Sequence, residues 1–253
     1  MAKVIAVANQ KGGVGKTTTA INLSSCVAYR GKRVLLIDLD PQGNTTTGLG
    51  INKRNLDKSI YDVIINEENI ENVLLDTHQN TLNLCPSSMK LAGAEVELVS
   101  VISRETRLKY ALEDVEDIFD FIFIDCPPSL GLLTINALTA SQTVLVPIQC
   151  EYYALEGLTQ LMDTVKLVQK RLNRDLEVEG VVLTMFDART NLSIEVVDEV
   201  RKHFKDKVYG TIIPRNVKLS EAPSYGLPIV LYDEKSKGAQ AYLELADEFI
   251  ALA

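Results

Sequence analysis

Apolar residues in this 253-residue chain gather in short unbroken runs instead of alternating with polar ones. The runs lie at 3–8, 34–39, 82–85, 121–124, 143–148, 178–185 and 208–213, each of strand length. A strand that is apolar at every position is covered on both sides, because successive side chains point to opposite faces. Between the runs lie helix-length segments with one apolar side, at 17–29, 105–118, 155–172 and 193–204; in the first, Ala20, Leu23, Val27 and Ala28 share a face. Doubly buried strands alternating with helices predict an α/β fold, a mainly parallel sheet covered by helices on both faces. No stretch rich in Pro, Gly or Ser interrupts the pattern, so residues 1–253 read as a single domain. Ligands of such sheets bind beyond the C-terminal strand ends, so the chemistry is expected directly after the runs.

The first run leads into Lys11-Gly12-Gly13-Val14-Gly15-Lys16-Thr17-Thr18. The general phosphate-loop pattern G-x-x-x-x-G-K-[ST] fails here, because position 10 is Gln10, not glycine. A variant with a second lysine, Lys11, ahead of Gly12 and Gly13 fits instead. Its glycines let backbone N–H groups turn inward around phosphate oxygens, and the helix that follows brings its positive dipole end to the same point. Gly12, Gly13, Val14, Gly15, Lys16, Thr17 and Thr18 are therefore candidate nucleotide-binding residues, with Lys16 against the β- and γ-phosphates and the Thr17 hydroxyl on Mg²⁺. For Lys11 the sequence leaves two roles open. It is either a solvated lysine beside a glycine turn or a cation that reaches across a two-fold interface to a neighbouring subunit's phosphates.

Two later runs end in acids. Val34-Leu35-Leu36-Ile37-Asp38-Leu39-Asp40-Pro41 leaves the sheet through Asp38 and Asp40, two residues apart and so on one side. Proline after Asp40 holds its backbone extended. Asp40 is a candidate to orient the attacking water and a further candidate metal ligand, while Asp38 is a candidate to support the metal shell or the loop; the alternative is that both only cap turns. Phe121-Ile122-Phe123-Ile124-Asp125 is followed by Cys126-Pro127-Pro128. An acid after four apolar residues is the Walker B arrangement, whose carboxylate holds the metal's water shell, and the prolines stiffen a segment suited to respond to a γ-phosphate.

Composition narrows the partners. Hydrophobic residues make up 46% and charged residues 24%, as in ordinary globular proteins. No apolar run reaches the roughly 18 residues that span a bilayer, and the start lacks signal-peptide features, so a cytoplasmic location is expected. Cys26, Cys85, Cys126 and Cys150 show no paired spacing, which predicts buried reduced thiols. The net charge of −8 argues against a strong nucleic-acid binder on global electrostatics. Residues 181–238, however, hold nine bases against eight acids, so a local basic surface is expected in the C-terminal third.

With these motifs placed, the chain resembles the ParA/Soj family of chromosome- and plasmid-partition ATPases, within the deviant Walker A group of P-loop NTPases. The resemblance covers nearly the whole chain. Beyond the loop it rests on Asp38-Leu39-Asp40-Pro41-Gln42-Gly43-Asn44, Asp125-Cys126-Pro127-Pro128-Ser129-Leu130-Gly131, the motif beginning at Glu151, Leu183-Thr184-Met185-Phe186-Asp187-Ala188-Arg189-Thr190, and Ile213-Pro214-Arg215-Asn216 followed by Ser220-Glu221-Ala222-Pro223-Ser224. The resemblance implies an ATP- and Mg²⁺-dependent ATPase that forms a homodimer with ATP, Lys11 of each subunit reaching the other's phosphates. It implies adenine packed near Met185, Pro214 and Asn216. It further implies non-specific binding of double-stranded DNA, with contacts carried over to Arg189 and Lys218 and with Arg215, Lys235 and Lys237 as additional candidates. A ParB/Spo0J-type partner would stimulate hydrolysis, slow without it, in a cytoplasmic, nucleoid-associated cycle with no membrane. With the loop beginning at residue 11, no operator-binding domain ahead of it, and so no specific operator repression, is expected.

The chief alternative is a MinD-like membrane-associated regulator, which needs a basic amphipathic C-terminal helix. Residues 241–253 carry three acids and no base, so their apolar positions are expected to dock on the sheet. An iron–sulfur reductase would need paired cysteines at a dimer axis, and a small-molecule synthetase a dedicated substrate motif; neither is visible.

Overall fold

The computed structural model describes residues 1–151 and 158–253. Strands β1 (Lys3–Val7), β2 (Val34–Asp38), β3 (Leu75–Asp76), β4 (Leu82–Cys85), β5 (Phe121–Asp125), β6 (Thr143–Gln149) and β7 (Glu177–Thr184) form one sheet in the order β3-β4-β2-β5-β1-β6-β7. All neighbours are parallel except β3, which pairs antiparallel with β4. The helices are α1 (Lys16–Tyr29), α2 (Asn44–Gly48), α3 (Ile60–Asn66), α4 (Leu91–Glu97), α5 (Arg107–Glu113), α6 (Leu132–Ala140), α7 (Leu158–Arg171), α8 (Asn191–Phe204), α9 (Val217–Glu221), α10 (Ile229–Tyr232) and α11 (Lys237–Leu252).

Each central strand feeds two cores by alternation. Val34 and Leu36 face one core with Phe121, Phe123 and Phe249, while Leu35 and Ile37 face the other with Ile122, Ile124, Val144 and Val146. That is why the runs are apolar throughout. The C-terminal segment docks as its pattern predicts: Phe249 of α11 lies with its ring 5.2 Å from Phe121 and 5.5 Å from Phe123, and Tyr242 shares a hydrogen bond with Thr19 of α1.

Two expectations change. The run at 208–213 is not a strand; it makes only the isolated bridges Val181 to Val208 and Phe186 to Pro214 beside β7. Glu248 of α11 accepts from the backbone N–H groups of Gly210 and Thr211, so those donors turn to a carboxylate and leave the ladder. The helix expected over 105–118 closes at Glu113, because Val115 and Ile118 bond back three residues and the chain tightens into turns. Within the segment expected at 155–172, α7 begins at Leu158, and residues 155–157 lie outside the described residues.

Candidate nucleotide site

The sheet brings the three motifs together. β1 lies between β5 and β6, so the loop after Val7 opens where neighbouring connections diverge, and Asp38 pairs in register with Asp125 at the ends of β2 and β5. This is the switch-point crevice in which open α/β sheets bind ligands.

Gly13 and Gly15 take left-handed backbone angles, φ 76° and 86°, which favour glycine, and Gly15 stands immediately before α1. Asn9 braces the loop entry, its Nδ2 donating to the Pro147 carbonyl and its Oδ1 accepting from Lys11 N. Lys16 curls back over the loop, and its Nζ donates to the Lys11 carbonyl at 2.9 Å. Burial holds the Lys16 ammonium below its ordinary pKa, partly opposed by the charges of Asp125, Cys126 and Asp40. A cation so withdrawn from water gains from any anion that enters the loop.

Thr17 Oγ1 donates to Asp125 Oδ2 at 2.8 Å and Thr45 Oγ1 to the same oxygen at 2.7 Å. The other oxygen, Oδ1, is buried with no hydrogen-bond partner among the described residues. Native proteins rarely leave such an acceptor alone. An orphaned carboxylate oxygen beside a threonine hydroxyl, an all-oxygen donor set, fits a hydrated magnesium ion. Burial pushes the Asp125 carboxyl up to about 6. Burial and then the Asp125 charge push Asp38 up to about 7. Asp38 Oδ2 accepts from both the backbone N–H and the hydroxyl of Thr46, at 2.7 and 2.6 Å, so this acid anchors the loop after β2. Asp40 is nearly buried; its Oδ1 accepts from Gln42 N at 2.8 Å and its carbonyl from Ser87 Oγ at 2.7 Å. Asp40 therefore does cap a turn, but through one carboxylate oxygen only.

A cleft of about 340 Å³ adjoins the loop, and Gly15, Thr18, Met185, Pro214, Arg215 and Asn216 are among its lining residues. The three positions expected near adenine thus meet at the phosphate loop. Met185 sits at φ 54°, a left-handed conformation that costs a non-glycine residue roughly 1–2 kcal/mol. The backbone of Phe186, bonded to Ile213 and Arg215, fixes that turn.

Among known families, the model described as an AAA domain matches residues 2–178. The chain is 62% identical over 251 residues to the sporulation initiation inhibitor protein Soj of Bacillus subtilis (strain 168), covering 99% of each protein. It is 54% identical to the chromosome partitioning protein ParA of Myxococcus xanthus (strain DK1622), covering 98% of this chain and 88% of that one. This chain belongs to the ParA/Soj family of chromosome-partitioning ATPases. Among solved structures, it is similar to cobyrinic acid a,c-diamide synthase from Mycobacterium smegmatis with bound ADP and magnesium, with TM-score 0.86, 41% identity, and coverage of 98% of this chain and 93% of that one.

The basic residues expected at DNA are exposed and mostly paired. Arg189 forms a two-pronged ion pair with Asp187, Lys218 pairs with Glu221, and Arg215 pairs with Glu151. Lys235 and Lys237 are exposed without an ion pair among the described residues. Of the motif that begins at Glu151, residues 152–157 lie outside the described residues. No helix among the described residues is long and apolar enough to cross a membrane.

Sequence reasoning missed several site residues. Thr45 and Thr46 hold Asp125 and Asp38, Ser87 holds Asp40, and Thr184 Oγ1 donates to the Val14 carbonyl at 2.8 Å, tying the end of β7 to the loop. The Asn44-Thr45-Thr46-Thr47 run just after the Asp40 turn was the available signal. Thr184 lay inside the motif at 183–190 without a role of its own, and Ser87 carried no signal.

Proposed function

We propose that this ParA/Soj-family ATPase is a switch in which Mg-ATP joins two copies face to face, the dimer holds double-stranded DNA without sequence preference, and hydrolysis stimulated by a ParB/Spo0J-type partner releases it. The observation that carries the dimer is Gly12. Unlike Gly13 and Gly15 it has no left-handed φ, and a Cβ built on it meets nothing within 4 Å. Nothing among the described residues of the protomer asks for glycine there. Close approach of a second loop supplies the reason, and it gives Lys11, at the loop mouth, the role of the cation acting across the interface.

Within the site, backbone N–H groups of 13–17 and Lys16 receive the phosphates, and Gly15, Thr18, Met185, Pro214 and Asn216 wall the nucleotide. Thr17 and, through water, Asp125 would hold magnesium, with Asp40 as a further ligand candidate; the ion supplies charge neutralisation along the phosphate chain. Asp40 retains one carboxylate oxygen that its turn does not use, and that oxygen accepts the hydrogen of the attacking water.

DNA contact falls on Arg189 and Lys218, with Arg215, Lys235 and Lys237 beside them. Exposed ion pairs are weak, so a phosphate readily takes the place of Asp187 or Glu221. Dimerisation doubles a basic face that one protomer presents only faintly, which would make DNA binding ATP-dependent in a nucleoid-associated cycle. A MinD-like membrane role has less support, because the apolar side of α11 is committed to the core through Tyr242, Leu245 and Phe249.

The deciding experiment measures the Asp40→Ala protein on random-sequence duplex with ATP and with ADP across a salt series. Tight, salt-sensitive binding with ATP alone is expected. Equal or absent binding in both states would overturn the DNA reading.

A further inference from the structure

The formal charge of this chain is not spread evenly. Residues 61–118 hold twelve acids and four bases, a balance equal to the whole chain's −8, so the rest of the molecule is neutral. This stretch contains α3, α4 and α5, away from the nucleotide cleft. Between α3 and α5 lies a second cleft of about 430 Å³ lined by Val63, Glu67, Glu68, Ile102, Tyr110 and Asp114 among others; Arg107, also in its wall, pairs with Glu67, and Lys58 pairs with Glu68. Two of its apolar residues are open to solvent, Ile102 at 88% and Tyr110 at 57% exposure, while Val63 at its floor is buried. Met89, Val96 and Val99, on the neighbouring stretch that includes α4, are also largely exposed.

Scattered single apolar residues on a surface need no explanation, but a run of them beside an acid-rimmed cleft does. The charge decides what could cover it. A field of this sign repels DNA and anionic lipid, and it attracts a cationic chain. The apolar residues ask for apolar side chains interleaved with those cations.

We propose that the α3–α5 cleft is a docking site for a cationic amphipathic segment of a partner protein, its basic residues meeting Asp114 and competing with Arg107 and Lys58 for Glu67 and Glu68, and its apolar residues covering Ile102 and Tyr110. The proposal goes beyond the DNA and dimer readings and does not depend on them.

The same α4 touches the nucleotide machinery. Glu95 packs its carboxylate against Gly131, so closely that a Cβ there would lie 2.0 Å from Glu95 Oε1. Gly131 ends the Pro127-Pro128-Ser129-Leu130 segment that follows Asp125 and stands immediately before α6. An occupant of the cleft that moved α4 would bear directly on that segment.

The test is fluorescence anisotropy with a labelled 18-residue lysine–leucine amphipathic peptide and the full-length protein. The expected results are binding to the parent, about tenfold weaker binding to Glu67→Lys/Glu68→Lys/Asp114→Lys and to Ile102→Asp, and unchanged binding to the α8 control Glu195→Lys/Asp198→Lys/Glu199→Lys. Ile102→Asp changes a side chain already in solvent, so it keeps the test valid if the triple variant folds poorly. Equal loss in the α8 control would reveal unspecific charge attraction and overturn the proposal, as would no binding to the parent. A shift of oligomeric state in Ile102→Asp, seen by sedimentation, would assign the face to a second copy of this chain and overturn it too. Binding of anionic vesicles at this face would do the same.

Discussion

Replacing Thr45 with valine removes one hydroxyl and almost nothing else, and the structure says what that hydroxyl does. Thr45 Oγ1 is one of two donors to Asp125, whose second oxygen already lacks a partner. Thr45 itself is fully buried, so water cannot simply replace the lost donor. A hydrogen bond to a charged group contributes about 1.5–3 kcal/mol, and leaving a buried charged acceptor short of donors places the loss toward the middle or top of that range. Taking about 2 kcal/mol, and about 2–4 °C per kcal/mol for a domain of this size, the nucleotide-free protein is expected to melt about 4–8 °C lower. The sign with pH follows from the Asp125 carboxyl, raised to about 6 by burial. At pH 7.5 it is ionised and the full loss appears. At pH 5 it is protonated, the bond is to a neutral group, and the loss shrinks toward 1 kcal/mol. Thermal melts by circular dichroism at both pH values measure this, with Thr45→Ser as the control that keeps the hydroxyl. A loss below about 0.5 kcal/mol at pH 7.5, or a serine variant as unstable as the valine one, would refute the account.

Other expectations can be checked separately. Asp38 has its carboxyl raised to about 7, against about 3.9 in an unfolded chain, so between those values the fold holds a proton that the unfolded chain has lost. Stability of the nucleotide-free protein should therefore fall as pH rises from about 4 to 7, on the order of 1.4 kcal/mol per unit from this group, and level off above; denaturant titrations of Asp38→Asn should lose this share of the slope and keep the part that Asp125, raised to about 6, contributes below that pH. Phe249→Ala removes a ring buried against Phe121 and Phe123 and should cost about 3–5 kcal/mol in chemical denaturation, whereas a tail free to leave for a membrane would cost little. Gly12→Val should bind ATP about as well as the parent yet remain a monomer in ATP by sedimentation, since a Cβ there meets nothing within 4 Å among the described residues. Arg189→Ala should dimerise with ATP and lose most DNA binding; unchanged DNA binding would remove this residue from the contact surface.

What could be read from the chain and what could not divide along one physical line. Signals carried by backbone requirements were legible: unbroken apolar runs meant doubly covered strands, and Gly13 and Gly15 meant left-handed turns at a loop that ends in a helix. Signals carried by side chains from distant segments were not. Leu132–Ala140 is apolar nearly all round and packed on several sides, so it shows no period that would mark it as a helix. Residues 208–213 have a strand's composition, yet the N–H groups of Gly210 and Thr211 in their middle are taken by Glu248, some forty residues on, and among the described residues only Tyr209 and Ile213 donate to β7. The site repeats the lesson. Lys16, Thr17 and Asp125 announce themselves by motif because their own backbone places them, whereas Thr45, Ser87 and Thr184 act only through the oxygen or carbonyl that folding brings within reach. No local pattern says which atom each of these three will meet. Thr45 and Ser87 also decide whether Asp125 and Asp40 stand where magnesium and water need them, and Thr184 ties the phosphate loop to the end of β7, so the motif alone describes a site that its supporting hydroxyls have still to assemble.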